Sequence, residues 1–268
     1  MSESILIPWK DKHLCGSLDF PAGFSKNGRY PLVIICHGFT GSRIGVDRLF
    51  VKTSNRLTAD GYLVLRFDYE GCGESPGEYG ETGLPDLLEQ TLSAIDFAVK
   101  LDYANPHSIS LIGHSLGGAV AVLAAAKDVR IRKLIIWSAS ARPYQDIVCI
   151  VGSEKVKALD KGASLDYLGY QLTDNYFSSL KRYEPLEELA AYRGDVLIVH
   201  GTADQDIPVS HSGRYAEEFR KRKEGSCSLH YVTGACHTYS AGRCFAELIE
   251  CTSEWLKAFR EQQSYASS

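Results

Sequence analysis

The chain has 268 residues, 44% hydrophobic and 23% charged, with 29 basic against 33 acidic residues and a net charge of −4. A chain of this length buries roughly three-quarters of its unfolded surface without staples, and the composition excludes wholesale disorder, a collagen-like repeat and a small disulfide scaffold. Basic residues gather into no stripe, so nucleic acid is not an expected partner; the run Arg220-Lys221-Arg222-Lys223 reads as the end of a solvated helix.

The chain opens on Met-Ser-Glu-Ser-Ile-Leu-Ile-Pro, which lacks the basic start, apolar core and cleavage site of a secretory leader. No stretch approaches 18 apolar residues, so no membrane span is expected. The eight cysteines form no CxxC pair, and free thiols in a reducing cytoplasm are the expectation, with no metal site. Residues 3–20 carry ILIPW and LCGSLDF around the polar Lys10-Asp11-Lys12-His13, which predicts an antiparallel hairpin at a sheet edge.

Short apolar runs then recur at Pro31–Cys36, Tyr62–Phe67, Ser108–Ile112, Lys133–Trp137 and Val196–Val199. Apolar on consecutive residues, they predict strands buried on both faces of a parallel sheet. Between and after them lie helical stripes: Leu84, Leu87, Leu88, Leu92, Ile95 and Val99, and later Phe245, Leu248, Ile249, Trp255, Leu256 and Phe259. The succession predicts an α/β open sheet with helices on both faces. The connection from Trp137 to Val196 far exceeds the dozen or so residues that a crossover needs. Its excess, residues 141–185, is read as an inserted cap over one end of a core formed by residues 1–140 and 186–268. The tail Gln262–Ser268 is expected to fray.

Directly after the SISLI strand comes Gly113-His114-Ser115-Leu116-Gly117, directly before the helical Ala119–Lys127. G-x-S-x-G in this strand–turn–helix setting holds a serine on a sharp bend with its hydroxyl exposed above the sheet. The start of that helix also offers unpaired N–H groups to a developing oxyanion. A serine needs an adjacent base to act as a nucleophile. Among the histidines, His114 is aimed away by the turn, and His13 and His107 fall in polar loops. His230 lies in a predicted strand, Leu229–Val232, while His37 and His200 end strands before a glycine, a setting for loop-orienting hydrogen bonds. His237 stands in the loop before the terminal helix, where strand-end loops of an open sheet converge, and is the expected base. The orienting acid should lie between serine and histidine, and His200-Gly201-Thr202-Ala203-Asp204-Gln205-Asp206-Ile207-Pro208 supplies Asp204 and Asp206, which position alone does not separate.

Four segments together resemble the α/β-hydrolases: His37-Gly38-Phe39-Thr40-Gly41-Ser42, Asp68-Tyr69-Glu70-Gly71-Cys72-Gly73-Glu74-Ser75, the Ser115 elbow, and the Asp204/His237 pair. The resemblance covers about residues 30–262 and is nearest to bacterial cinnamoyl/feruloyl esterases, with monoacylglycerol lipases and short-chain carboxylesterases beside them. It implies an acid at the aspartate of G-x-x-D-x-x-V/I-P, which Gly201, Asp204, Ile207 and Pro208 match. It also implies an oxyanion hole from the backbone N–H groups of Phe39 and Leu116. The 68–75 segment departs from the family at Glu70 and Cys72. In feruloyl esterases the insertion meets the substrate phenol, which makes Gln145, Asp146, Tyr170 and Tyr176 candidate substrate contacts.

These readings predict a serine carboxylesterase acting on small-molecule esters through an acyl-enzyme, without metal or organic cofactor; a homodimer is compatible with the sequence. A serine aminopeptidase would use the same triad but needs an acidic cluster for the substrate amine. A ligand-binding protein on the same fold is the reading from a different class. Asp68 precedes the serine and reads as loop-shaping. Gly71, Gly73 and Gly77 precede no G-K-[ST], and Gly113–Gly118 lacks G-x-G-x-x-G, so neither is a nucleotide loop. Cys236, beside His237, would need a thiolate to act as a nucleophile itself.

Overall fold

Runs of leucine, isoleucine and valine put apolar groups on both faces of a strand, so each strand needs a helical layer above and below it. The computed structural model describes the backbone of residues 1–266 and side chains through residue 258. Its main sheet has eight strands: β1 (Ser2–Trp9), β2 (Lys12–Asp19), β3 (Tyr30–Cys36), β4 (Leu63–Phe67), β5 (Ala104–His114), β6 (Ile131–Trp137), β9 (Asp195–Gly201) and β10 (Cys227–Val232), in the order β1-β2-β4-β3-β5-β6-β9-β10. β1 pairs antiparallel with β2, and β2 antiparallel with β4; from β4 to β10 every neighbour is parallel. The expected hairpin thus forms one edge of the sheet.

Alternation within β3 divides the core. Leu32, Ile34 and Cys36 pack with α2 (Leu84–Ala98) and α3 (Leu116–Lys127) on one face. Val33 and Ile35 pack with α1 (Leu49–Ala59) and α9 (Gly242–Ala266) on the other. Helix α3 is buried on all sides, with alanines and glycines where it meets the sheet. The tail from Gln262, expected to fray, and the Phe259 side chain lie outside the described side chains.

Helices α1 and α8 (Ser210–Arg220) carry no obvious apolar stripe, because α8 buries His211, Tyr215, Ala216 and Phe219 rather than leucines. The basic run follows at the end of α8. Between β6 and β9 the chain forms α4 (Pro143–Val151), α5 (Ser153–Lys157), a separate two-stranded hairpin of β7 (Ser164–Tyr167) and β8 (Tyr170–Thr173), α6 (Asp174–Leu180) and α7 (Pro185–Glu188). No helix among the described residues is long and apolar enough to cross a membrane.

From β3 the chain crosses to β4 on one side, then returns to place β5 on the other. The carboxyl ends of β3 and β5 therefore flank the switch point, where an open α/β sheet leaves a crevice. The loops after those two strands begin with His37 and Ser115.

Candidate active site

Ser115 joins β5 to α3 with φ +58° and ψ −124°, a strained conformation for a residue with a side chain. Three hydrogen bonds over-determine it: Ser115 N–H donates to the Trp137 carbonyl (3.0 Å), and the Ser115 carbonyl accepts from Gly118 (3.0 Å) and Ser140 (3.1 Å). The bend also depends on close backbone approach. A Cβ on Gly117 would stand 2.3 Å from the His37 carbonyl oxygen and 2.4 Å from that of Cys36. Neither can retreat, since both belong to the β3 exit. Gly117→Ala is therefore expected to cost on the order of 1–3 kcal/mol, seen as a thermal midpoint lowered by several degrees.

The expected base and acid meet. His237 Nδ1–H donates to Asp204 Oδ2 at 2.8 Å, leaving Nε2 for proton transfer. The other Asp204 oxygen accepts backbone N–H groups of Asp206 and Ile207, both at 2.9 Å. The geometry thus brings Asp204, not Asp206, onto the imidazole; Asp206 stays exposed at the rim. Burial alone would push the Asp204 carboxyl up, but hydrogen bonds from His200 and His237 outweigh it and hold the group well below the usual carboxylate range.

The His237 loop is anchored by residues that the sequence did not single out. Tyr239, fully buried at φ +54°, donates its hydroxyl to the Val199 carbonyl (3.2 Å) and accepts from Ser138 Oγ (3.1 Å). His114 donates from Nε2 to the His237 carbonyl at 2.8 Å. Burial and the neighbouring His237 push His114 down to about 3, so it stays neutral in this role. His37 and His200 make the expected loop-orienting bonds: His37 Nδ1–H reaches the Gly38 carbonyl at 2.8 Å, and its Nε2 accepts from Tyr69 N–H at 3.1 Å. His230 lies in a strand as expected, on β10, where it is half-exposed and bonds Glu247 at 2.9 Å.

Leu116 opens α3, so its N–H has no intrahelical acceptor. Phe39 lies on the facing loop, its ring against Tyr167 (5.3 Å between centroids), Tyr79 and Tyr176 (both 6.0 Å). Ser115, His237, Phe39 and His114 line one cavity of about 320 Å³. Its walls are mostly apolar, with Leu49, Phe50, Ile150, Tyr167 and Leu168 among them and Asp206 at the rim. A larger cleft of about 730 Å³ beside α7 and α8 is lined by charged residues such as Glu187, Arg214 and Glu218, and holds neither Ser115 nor His237.

The four expected substrate contacts do not line the Ser115 cavity. Gln145 is exposed on α4. Asp146 is buried and engaged by Ser140 Oγ (2.6 Å), Arg142 N–H (3.2 Å) and His211 Nε2 (2.9 Å). Tyr176 is fully buried with its hydroxyl 3.2 Å from that of Tyr79. Tyr170 donates to the Thr40 carbonyl at 3.3 Å, which braces the Phe39 loop from behind. The turn of the β7–β8 hairpin supplies the wall instead, through Tyr167 and Leu168. His211, the partner of Asp146, carried no motif that could have found it.

The 68–75 segment has local reasons for its unusual residues. Asp68 is bridged by Arg43 and accepts the backbone N–H groups of Arg43 (2.6 Å) and Glu74 (3.1 Å), so it ties loops together. Glu70 bonds Lys12 and the indole of Trp9, which fastens the β1–β2 hairpin. Asp204, Asp206 and His237 have donor atoms within 4.8 Å of one another. Those of Asp204 and His237 are already spent on each other and on backbone N–H groups.

Comparison with known proteins finds the same fold. The family model described as "Serine aminopeptidase, S33" matches residues 29–161. An Escherichia coli protein known as a 31.7 kDa product of the traX-finO intergenic region is 38% identical over 109 residues, 41% of this chain but only 37% of that protein. YfhR of Salmonella typhimurium is 31% identical over 239 residues, covering 83% of this chain and 71% of YfhR. The structure of Est1E from Butyrivibrio proteoclasticus with ferulic acid bound superposes with a TM-score of 0.77 at 27% identity, over 97% of this chain and 99% of that one.

Proposed function

Since the chain belongs to the α/β-hydrolase family, we propose that it is a serine carboxylesterase acting on small esters with an apolar acyl group, of the cinnamoyl/feruloyl type. The observation that carries this reading is that His237, bonded to Asp204, lines one mostly apolar cavity with Ser115 on its strained bend. Ser115 Oγ attacks the ester carbonyl as His237 Nε2 takes its proton, and the Phe39 and Leu116 N–H groups hold the oxyanion. His237 then protonates the leaving alcohol. Water attacks the acyl-enzyme by the same route, releasing the acid and restoring the serine.

The cavity supports an uncharged acyl group. About 320 Å³ is at the lower end of ordinary small-molecule sites. Phe39, Phe50 and Tyr167 offer aromatic walls, and no lysine or arginine among the described residues lines the cavity to seat an acidic substrate. Asp206 alone at the rim is thin support for the amine of an aminopeptidase substrate. The likeness to a structure holding ferulic acid favours an aromatic acid. All eight cysteines are free thiols, which fits a reducing, cytoplasmic setting.

The test is hydrolysis of methyl ferulate, a short aliphatic p-nitrophenyl ester, a long-chain monoacylglycerol and an amino-acid anilide. Highest kcat/KM for methyl ferulate is expected. Preference for either aliphatic ester keeps the esterase and overturns the aromatic acid. Turnover of the anilide alone replaces the esterase with an aminopeptidase.

A further inference from the structure

Asp204 Oδ2 accepts from two imidazoles, not one: His237 Nδ1 at 2.8 Å and His200 Nε2 at 3.1 Å. With the two backbone N–H groups on Oδ1, all four acceptor positions of the carboxylate are filled. His200 is fully buried near the end of β9 and cannot swing away. Its Nε2 faces a second acceptor, the Ile207 carbonyl at 3.3 Å, so the ring proton sits on Nε2. Nδ1 then accepts from Ser212 Oγ at 2.5 Å, and Ser212 is itself fully buried on α8. Ser212 thereby fixes the His200 tautomer, as an orienting group does for a ligand histidine.

We infer that His200 is a positioning residue: sharing Oδ2 of the Asp204 carboxylate with His237, it fixes that oxygen and so holds His237 in the tautomer protonated at Nδ1. With backbone N–H groups on Oδ1 and His200 on Oδ2, the carboxylate is held from both sides where it meets the His237 Nδ1–H. The inference rests on the esterase reading for the role of His237, but its test needs no ester.

Other titratable groups face the pair. His114 of β5 lies against the His237 ring, 4.7 Å between centroids with the planes tilted by 36°, and is held neutral by burial. Asp206 shares the acid loop, and Tyr239 and Cys236 share the His237 loop. The Tyr239 phenol is pushed above its usual range by burial, so it carries no charge.

The experiment is ¹⁵N-edited NMR of the histidine rings across pH in the wild type, His200→Gln and the shape-conserving pair His200→Phe/Ser212→Ala. Glutamine keeps a donor near the Nε2 position and should leave His237 protonated at Nδ1 as in the wild type. The double variant should show His237 in a mixture of tautomers, with Nε2 protonation appearing beside Nδ1. His237 protonated at Nδ1 alone in the double variant overturns the inference. If that variant does not fold, the wild-type spectrum decides: His200 protonated at Nε2 and not at Nδ1 is required, and the opposite tautomer overturns it. Loss of ester turnover with these spectra intact would instead count against the esterase reading.

Discussion

Ser115→Ala is expected to lower kcat on esters by about 10⁵–10⁶-fold, the scale found when the nucleophile of a serine hydrolase is removed. Alanine fits the site without new strain. It keeps the Cβ that the bend already accommodates and keeps the backbone bonds to Trp137, Gly118 and Ser140. The thermal midpoint should therefore stay close to the wild type, which separates lost chemistry from lost fold. Any residual rate would come from the oxyanion donors and from binding, which survive without the hydroxyl. A serine-directed fluorophosphonate gives the second measurement: it should label the wild type once per chain and leave the variant unlabelled. Turnover retained within tenfold would mean that the nucleophile lies elsewhere.

That Ser115 could be picked from sequence reflects how local its signal is. The elbow needs a strand, a glycine-lined bend and a helix within a dozen residues, and each leaves a mark in the chain. Buried parallel strands are equally plain, since a run such as Val-Leu-Ile-Val has no other use. The supports of the site were less legible because they act across long separations. Tyr239 reaches back to Ser138 and Val199, and Asp146 reaches forward to His211; neither pair shares a spacing that a motif could capture. The insertion misled for the same reason. Its tyrosines and Gln145 and Asp146 read alike as polar wall, yet the fold spends Tyr176 and Asp146 on internal bonds. The apolar Leu168 turn and Tyr167 are left beside Ser115. The hairpin pairs Tyr167 with Tyr170, yet only Tyr167 lines the cavity, while Tyr170 spends its hydroxyl on the Thr40 carbonyl.

The two aspartates of the acid loop should respond very unequally. Asp204→Asn is expected to lower kcat by about 10⁴-fold, the loss seen when a triad acid becomes an amide. The amide oxygen would stay on the Asp206 and Ile207 N–H groups, which need an acceptor. Its NH₂ would then replace Oδ2 and face two ring N–H donors, His237 Nδ1 and His200 Nε2. Donor against donor forces His237 to the tautomer protonated at Nε2, the atom that must receive the serine proton. Asp206→Asn changes only an exposed rim group. The backbone N–H that Asp206 lends to Asp204 is untouched, and kcat should remain within about threefold on an uncharged ester. The pH profiles sharpen the contrast. Asp204 is held so far below the usual carboxylate range that it stays ionised as pH falls through the working range. Protonation of Asp204 therefore does not set the acidic limb of kcat/KM in wild type or Asp206→Asn, and the two profiles should overlay. Equal losses from both substitutions would remove Asp204 from the role of acid, and with it the positioning assigned to His200.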